Sequence, residues 1–369
     1  MTGPRVDLVV VGGGAMGLAA AWAAAPRASV VLFERFAPGH ARGASHGGER
    51  IWRHAYTDPA YVEMALAAEE GWHRLERDGG RPLLHRVGCV EHGADAELAA
   101  RARAAGALGV PTRLLPAAEA AARWPSLTFA TDVLVQPGAG WVGAADGLDA
   151  LRAGARASGA ELRHTVPVTA VEPAGSGVRV VAGDEVVTAP AAVVAAGAWS
   201  TVLLAAAGIP LPRLTTTEEH VFFFERRAGV GPDGVPSFIH WEGTARYGLP
   251  AADGRVKVGE HHSGATITAD DRAAEPGAAR VERIERYARE WLPGLVPTIV
   301  AATTCLYTST PSHDFVLDRA GPIVVAAGFS GHGFKFVPEI GRRLAAMALD
   351  DAPSRAPFTL AAHAAATDR

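Results

Sequence analysis

The chain has 369 residues, 49% of them hydrophobic and 20% charged, which suits two intimately joined domains around a large core and excludes a disordered or fibrous protein. A net charge of -4 offers no electrostatic basis for binding nucleic acid or an anionic membrane, so the expected partner is a small molecule. Two cysteines, Cys89 and Cys305, are too few for a disulfide framework or a structural zinc site, and a reducing cytoplasm fits them.

In chain order, a β-branched run at 6–11 is followed by Gly12, Gly14 and Gly17 and an alanine-rich stretch at 18–25, which reads as strand, turn and helix. A second apolar run at 29–33 ends in Glu34 and completes a βαβ unit. Residues 63–77 have helical spacing, and 83–91 reads as strand. The segments 94–105 and 117–122 read as helices of an exposed layer whose charges form a solvated face. The turn-rich 136–143 marks a domain crossing, before a helix at 144–158 and strands at 161–165, 169–171, 178–181 and 193–195. Two uncharged runs, 8–26 and 186–212, imitate membrane segments, but glycines break the first and Pro190, Gly197 and Trp199 the second. No membrane span is expected. A run rich in β-branched and aromatic residues, 220–224, opens a region of antiparallel strands reaching 306, with one helix at 278–291. The chain returns through a strand at 323–326, a glycine-rich turn and a helix at 339–346.

With no repeats or linkers, the domains are interleaved. The predicted class is α/β: a Rossmann-like nucleotide domain from 1–82, 143–213 and 311–369, interleaved with an α+β substrate domain, mostly antiparallel, from 83–142 and 214–310. The Gly12-x-Gly14-x-x-Gly17 motif, set between strand and helix with Glu34 after the next strand, fits a pyrophosphate at a helix N-terminus and ribose hydroxyls at the acid. This motif alone does not separate FAD from NAD. The block 328–336, Gly-Phe-Ser-Gly-His-Gly-Phe-Lys-Phe, also lies between strand and helix, so the chain revisits the nucleotide fold, a return that a simple NAD domain does not need. Its glycines suggest backbone against a flat ring with Lys335 over it; the alternative is a glycine-rich helix entry with a surface lysine.

Of 35 basic residues only two are lysines, Lys257 and Lys335. Base composition explains such a bias, or these positions need a compact ammonium whose pKa burial can tune.

The block 328–336, Thr304-Cys305-Leu306-Tyr307-Thr308, the run 49–56 and Val256-Lys257-Val258-Gly259 together resemble the monomeric sarcosine oxidase family, with its N-methyltryptophan and pipecolate oxidases. The similarity runs from Val6 to about Leu349. The resemblance implies an FAD-dependent amine oxidase with the flavin attached covalently through Cys305, although a lone cysteine is more often a small buried hydrophobe. It implies that Arg53 and Lys335 hold the substrate carboxylate, a planar fork beside a point charge. Arg50 and Lys257 match residues over the flavin ring, and Lys257 the lysine that activates oxygen. His261, Tyr307 and Tyr247 match groups that position the amine. Further cofactor contacts are implied at Met16, Arg35, Ser45, His46, Val168, Gly197, Trp199, Gly331, His332 and Gly333, beside Gly12, Gly14, Gly17 and Glu34. Cys89 and His262 receive no role.

Trp52 and Glu260 stand beside these motifs where the resemblance leads us to expect other side chains, and Trp241 and Trp141 are further residues to look for at the cavity. A bulkier or more polar pocket favours a cyclic imino acid or a larger N-methyl amino acid over sarcosine. The expected reaction takes an amine and dioxygen to an imine and hydrogen peroxide, in a cytoplasmic monomer. The rival readings are a flavin dehydrogenase, a four-electron biosynthetic imine oxidase, and a non-catalytic flavin-binding sensor.

Overall fold

The computed structural model describes residues 6–273 and 275–367. Leu8–Val11 is buried on both faces because alternate residues enter different cores. Leu8 and Val10 pack with helices Ala15–Ala24, Pro59–Gly79, Ala144–Ala157 and Val337–Leu349, while Val9 and Val11 pack with Val171, Val178 and Val187 of an antiparallel meander. Such double burial is why the strand reads as a continuous apolar run. The strand is central in a six-stranded sheet ordered Val316–Ala320, Ile323–Ala327, Ala191–Val194, Leu8–Val11, Val30–Phe33, Glu161–Arg163. All its pairings are parallel except that of Val316–Ala320 with Ile323–Ala327.

Helix Pro59–Gly79 shows how local chemistry sets its limits. Asp58 caps its start by accepting from the Ala60 N–H at 2.8 Å, proline occupies the first position, and Gly80 ends it at φ 67°. Its buried face, with Met64, Ala68 and Trp72, lies against Val337–Leu349 and Ala144–Ala157.

A second sheet, nine-stranded among the described residues, runs Ala265–Thr266, Thr215–Arg226, Val256–Glu260, Arg246–Pro250, Ser237–His240, Cys89–His92, Val133–Gln136, Arg113–Leu115, with Leu295–Ser309 paired to Thr215–Arg226. It is antiparallel except between Ser237–His240 and Cys89–His92. The helix Ala278–Trp291 covers one face, where Ile284, Tyr287 and Ala288 meet Phe222, Phe224, Val256 and Val258. Glu49–Trp52, Gly140–Gly143 and Leu84–His85 form a small separate sheet, which contacts the strand Arg246–Pro250 of the second.

Three expectations need correction. The turn-rich 136–143 contains the strand Gly140–Gly143, whose glycine at 140 lets His85 approach. The apparent single strand at 83–91 is two, Leu84–His85 and Cys89–His92, which serve different sheets. The helix Asp95–Ala107 does not carry only a solvated face, because Arg101 is 7% exposed and turns inward to Glu91. Among the described residues, no helix is long and apolar enough to cross a membrane, and 186–212 divides into strands and the helix Ser200–Ala206.

Candidate active site

The two large sheets meet around a cavity of about 660 Å³. The nine-stranded sheet turns one set of alternate residues toward it: Glu219, Val221 and Phe223; Tyr247 and Leu249; Ile239 and Trp241; and Lys257. Neighbours of the opposite parity, Phe222, Phe224, Val256 and Val258, build the core beneath. The other wall comes from the Gly12–Met16 turn, the segment after Val30–Phe33, the loop 43–50 and the block 328–335.

Every site residue expected from the sequence lines this cavity except Gly17. A Cβ on Gly17 would lie 1.8 Å from the Gly12 carbonyl oxygen, so Gly17 supports the turn from behind rather than facing a ligand. Gly12 itself sits at φ +104°, with the Ala195 carbonyl 2.5 Å from where a Cβ would be. The helix Ala15–Ala24 begins at the cavity with no side-chain cap on its Gly14 N-cap. Ser45 accepts from the Ala15 N–H at 3.0 Å. Glu34 accepts from Gly13 N–H at 2.6 Å and Phe36 N–H at 2.8 Å, which fixes an acid at the cavity wall. Arg35 and Trp199 both reach Asp270, at 3.8 and 3.4 Å, across the same end, and Met16, Val168 and Gly197 complete it.

At the opposite end, Cys305 is half-buried on Leu295–Ser309, its Sγ 3.7 Å from the Ala44 carbonyl oxygen. The His46 ring lies 2.8 Å from the carbonyl oxygens of Gly43 and Thr304 and so ties the 43–50 loop to that strand. Arg50 donates to the Glu49 carbonyl at 2.9 Å and lies over Phe334, 5.6 Å from the ring centre. Lys257, 5% exposed, donates to the same Glu49 carbonyl at 2.8 Å.

Tyr307, Tyr247 and His261 form one polar group. His261 Nδ1 is 3.3 Å from the Tyr307 hydroxyl, and Tyr247 lines the cavity with them. Burial pushes Tyr247 up to about 12, and burial followed by the neighbouring His262 holds His261 well below its ordinary range, so its imidazole is neutral. Gly331 and Gly333 lie alongside; a Cβ at Gly331 would fall 2.2 Å from the Tyr307 ring. Arg53 and Lys335 stand over the face of Tyr56, at 4.0 and 5.6 Å from its centroid. Lys335 donates to the His332 carbonyl at 2.8 Å. Burial and then the Arg53 charge hold its pKa well below the usual lysine range.

Of the side chains singled out as departures, only Trp241 lines the cavity. Glu260 lies on the opposite face of its strand, paired with Arg283 at 2.6 Å and Arg246 at 3.5 Å. Trp52 is fully buried edge-on against His54, and Trp141 stacks on His85 at 3.6 Å. Two carboxylates escaped the sequence reading. Glu219, opposite Cys305 in the strand register, lines the cavity and accepts from Thr217 Oγ1 at 2.8 Å. Glu91 is wholly buried behind Arg53. Its one signal in the sequence is a lone acid within an apolar strand.

A glycine turn at a helix N-terminus, an acid after the second strand and a cation-lined cavity at a sheet junction define a dinucleotide-dependent oxidoreductase. Residues 7–347 match the FAD dependent oxidoreductases, and the chain belongs to that family. It is 37% identical to a monomeric sarcosine oxidase of Streptomyces avermitilis, over 94% of each chain. It is 30% identical to an N-methyl-L-tryptophan oxidase of Yersinia pestis, over 94% of this chain and 96% of that one. Among solved structures it is similar to NikD, an unusual amino acid oxidase of nikkomycin biosynthesis, with a TM-score of 0.84, 27% identity and 95% of each chain covered.

Burial, then repulsion from Arg50, lowers the Lys257 amine from 10.5 to about 7. Between about pH 7 and 10.5 the unfolded chain binds a proton that the folded chain lacks, so this contribution to stability rises with pH across that window. Lys257→Met is therefore expected to gain most over the native chain at pH 7 and below, with the gain fading toward pH 10.5. Urea denaturation across that range checks this; a gain independent of pH contradicts it.

Proposed function

We propose that this protein oxidises a secondary amine or imino acid bearing a carboxylate, an N-methyl or cyclic amino acid, to its imine with dioxygen as acceptor and hydrogen peroxide as product. The observation that carries the reading is the pairing of two buried cations, Arg53 and Lys335, at one end of the cavity that also holds Lys257 and Cys305. Sequence similarity to a monomeric sarcosine oxidase and an N-methyl-L-tryptophan oxidase supports it. Trp241 in the wall favours a substrate bulkier than sarcosine.

The cavity fits FAD, with a glycine-rich helix N-terminus and close backbone turn for pyrophosphate, Glu34 for ribose, and a half-buried thiol at the far end. When bound, FAD supplies the two-electron acceptor. In this reading Cys305 would hold the flavin covalently, and Gly331, His332 and Gly333 would line its seat. Arg53 and Lys335 hold the carboxylate, which limits the orientation of the reacting carbon. His261, kept neutral by burial, accepts the ammonium proton and frees the nitrogen lone pair, while the Tyr307 hydroxyl beside its Nδ1 orients the ring. Tyr247, in the same lining, helps position the amine. Lys257 and Arg50 present positive charge where oxygen is reduced. The two large sheets correspond to a nucleotide domain and a substrate domain, and the protein works as a cytoplasmic monomer.

Three measurements test these assignments. Acid-precipitated native protein is expected to stay yellow and Cys305→Ser to lose its colour on precipitation; a colourless native pellet rules out the linkage. Lys257→Met is expected to slow reaction of the reduced protein with dioxygen by about a hundredfold or more, the scale of losing one preorganised charge, while anaerobic reduction by substrate changes little. Equal slowing of both would sink that role. In a panel of secondary amines read by peroxide release, amino acids are expected to turn over and their decarboxylated analogues to lose most of their binding; retained binding excludes the cation pair as a carboxylate site.

A further inference from the structure

Glu91 does not line the cavity, yet two side chains that do, Arg53 and Trp241, are held by it. It is 0% exposed, and its two oxygens meet groups from four separate segments. Oε1 accepts from Gln136 Nε2 at 2.6 Å and lies 3.6 Å from Arg53 Nη1. Oε2 accepts from Trp241 Nε1 at 2.9 Å and from Arg101 Nη1 at 3.2 Å. Gln136 in turn accepts, through its own oxygen, from the His54 and Ala55 N–H groups at 3.1 and 2.9 Å, fixing the backbone that follows Arg53. The Arg101 guanidinium lies over Trp241, 4.0 Å from the ring centre. The charged or titratable groups facing Glu91 are Arg53, Arg101, Lys335, Tyr56 and Cys89. Three buried cations thus share one buried carboxylate; the second acid on Arg101, Glu97, is 61% exposed and screened by water.

We propose that Glu91 is a positioning residue that sets the net charge of the substrate-carboxylate pocket, occupying Arg53 until the substrate's own carboxylate arrives, with Arg101 as its counterweight. The inference rests on the reading of Arg53 and Lys335 as the carboxylate site. Its electrostatics follow from the geometry. Against the cost of burial, the Glu91 carboxylate leaves Arg53 with a raised pKa, and Tyr56 beside them is pushed up to about 12, mainly by burial. Removing the negative charge makes the pocket more positive. An entering carboxylate then binds more tightly, and a bound ammonium loses its proton at lower pH, because a nearby cation disfavours the charged amine. Removing Arg101 does the reverse.

The test uses purified holoprotein, with propionate as carboxylate probe and the thermal midpoint as readout, alongside the pH dependence of anaerobic reduction by an amino-acid substrate. Glu91→Gln is expected to bind propionate about tenfold more tightly and to move the acid limb of reduction down by about one pH unit. Arg101→Gln is expected to move both in the opposite direction by a similar amount. Glu97→Gln is expected to move neither. A merely structural role would weaken binding in both Glu91 and Arg101 variants and leave the acid limb in place, and that result overturns the proposal. Should Glu91→Gln fail to fold, the acid limb of Arg101→Gln decides: a rise supports the proposal and an unmoved limb refutes it. If native protein shows no saturable response to propionate, the carboxylate-site reading fails and this inference with it. Binding that is intact but shifts in the same direction in both variants defeats this inference alone.

Discussion

Cations held out of water dominate this molecule. Lys257 and Lys335 are each 5% exposed and each rests on a main-chain carbonyl, Glu49 and His332, rather than on a carboxylate. Burying an ammonium with no carboxylate in direct contact is costly, and the lowered lysine pKa values express that cost. The arrangement holds only if the carbonyls are fixed. Glu49 is fixed by the strand Glu49–Trp52, paired with Gly140–Gly143 in the small sheet, and His332 by the turn that enters helix Val337–Leu349. The scarcity of lysine elsewhere in the chain accords with this, since arginine cannot lose its charge on burial.

Periodicity carried most of the fold. The doubly buried strands of the parallel sheet announce themselves as unbroken apolar runs, and the glycines at 12, 14 and 17 mark the turn between strand and helix. Segments whose partners are distant in sequence were harder to read. Gly140–Gly143 is a strand only because Glu49–Trp52 and Leu84–His85 flank it, and nothing local in so glycine-rich a stretch says so. The helix at 278–291 was legible from its spacing alone.

The candidate site was legible where a side chain stands in a sequence motif, and obscure where it does not, as with Glu219, which reaches the cavity directly, and Glu91, which acts through other side chains. Cys305, Lys257 and Lys335 stand in sequence motifs; Glu91 stands in none, and its importance comes from Arg53, Arg101, Gln136 and Trp241 converging on it. Arg101 was hidden by its helix partner Glu97 four residues earlier, a pairing that in sequence is indistinguishable from a solvated surface pair. Glu260 misled in the other direction. Adjacent in sequence to Gly259 and His261, it faces away, because neighbouring residues in a strand point to opposite sides.

That same two-residue alternation partitions the nine-stranded sheet into a chemical face and a structural face. Odd-numbered apolar positions such as Val221, Ile239 and Leu249 can drift to suit a different amine while Phe222, Phe224, Val256 and Val258 keep the underside packed. Length changes within these strands have no such freedom. One inserted residue would rotate everything beyond it by half a turn, send the lysine into hydrocarbon and bring a valine to the cavity. Diversification of this scaffold is thereby channelled into point replacements on one side and insertions at the hairpin ends.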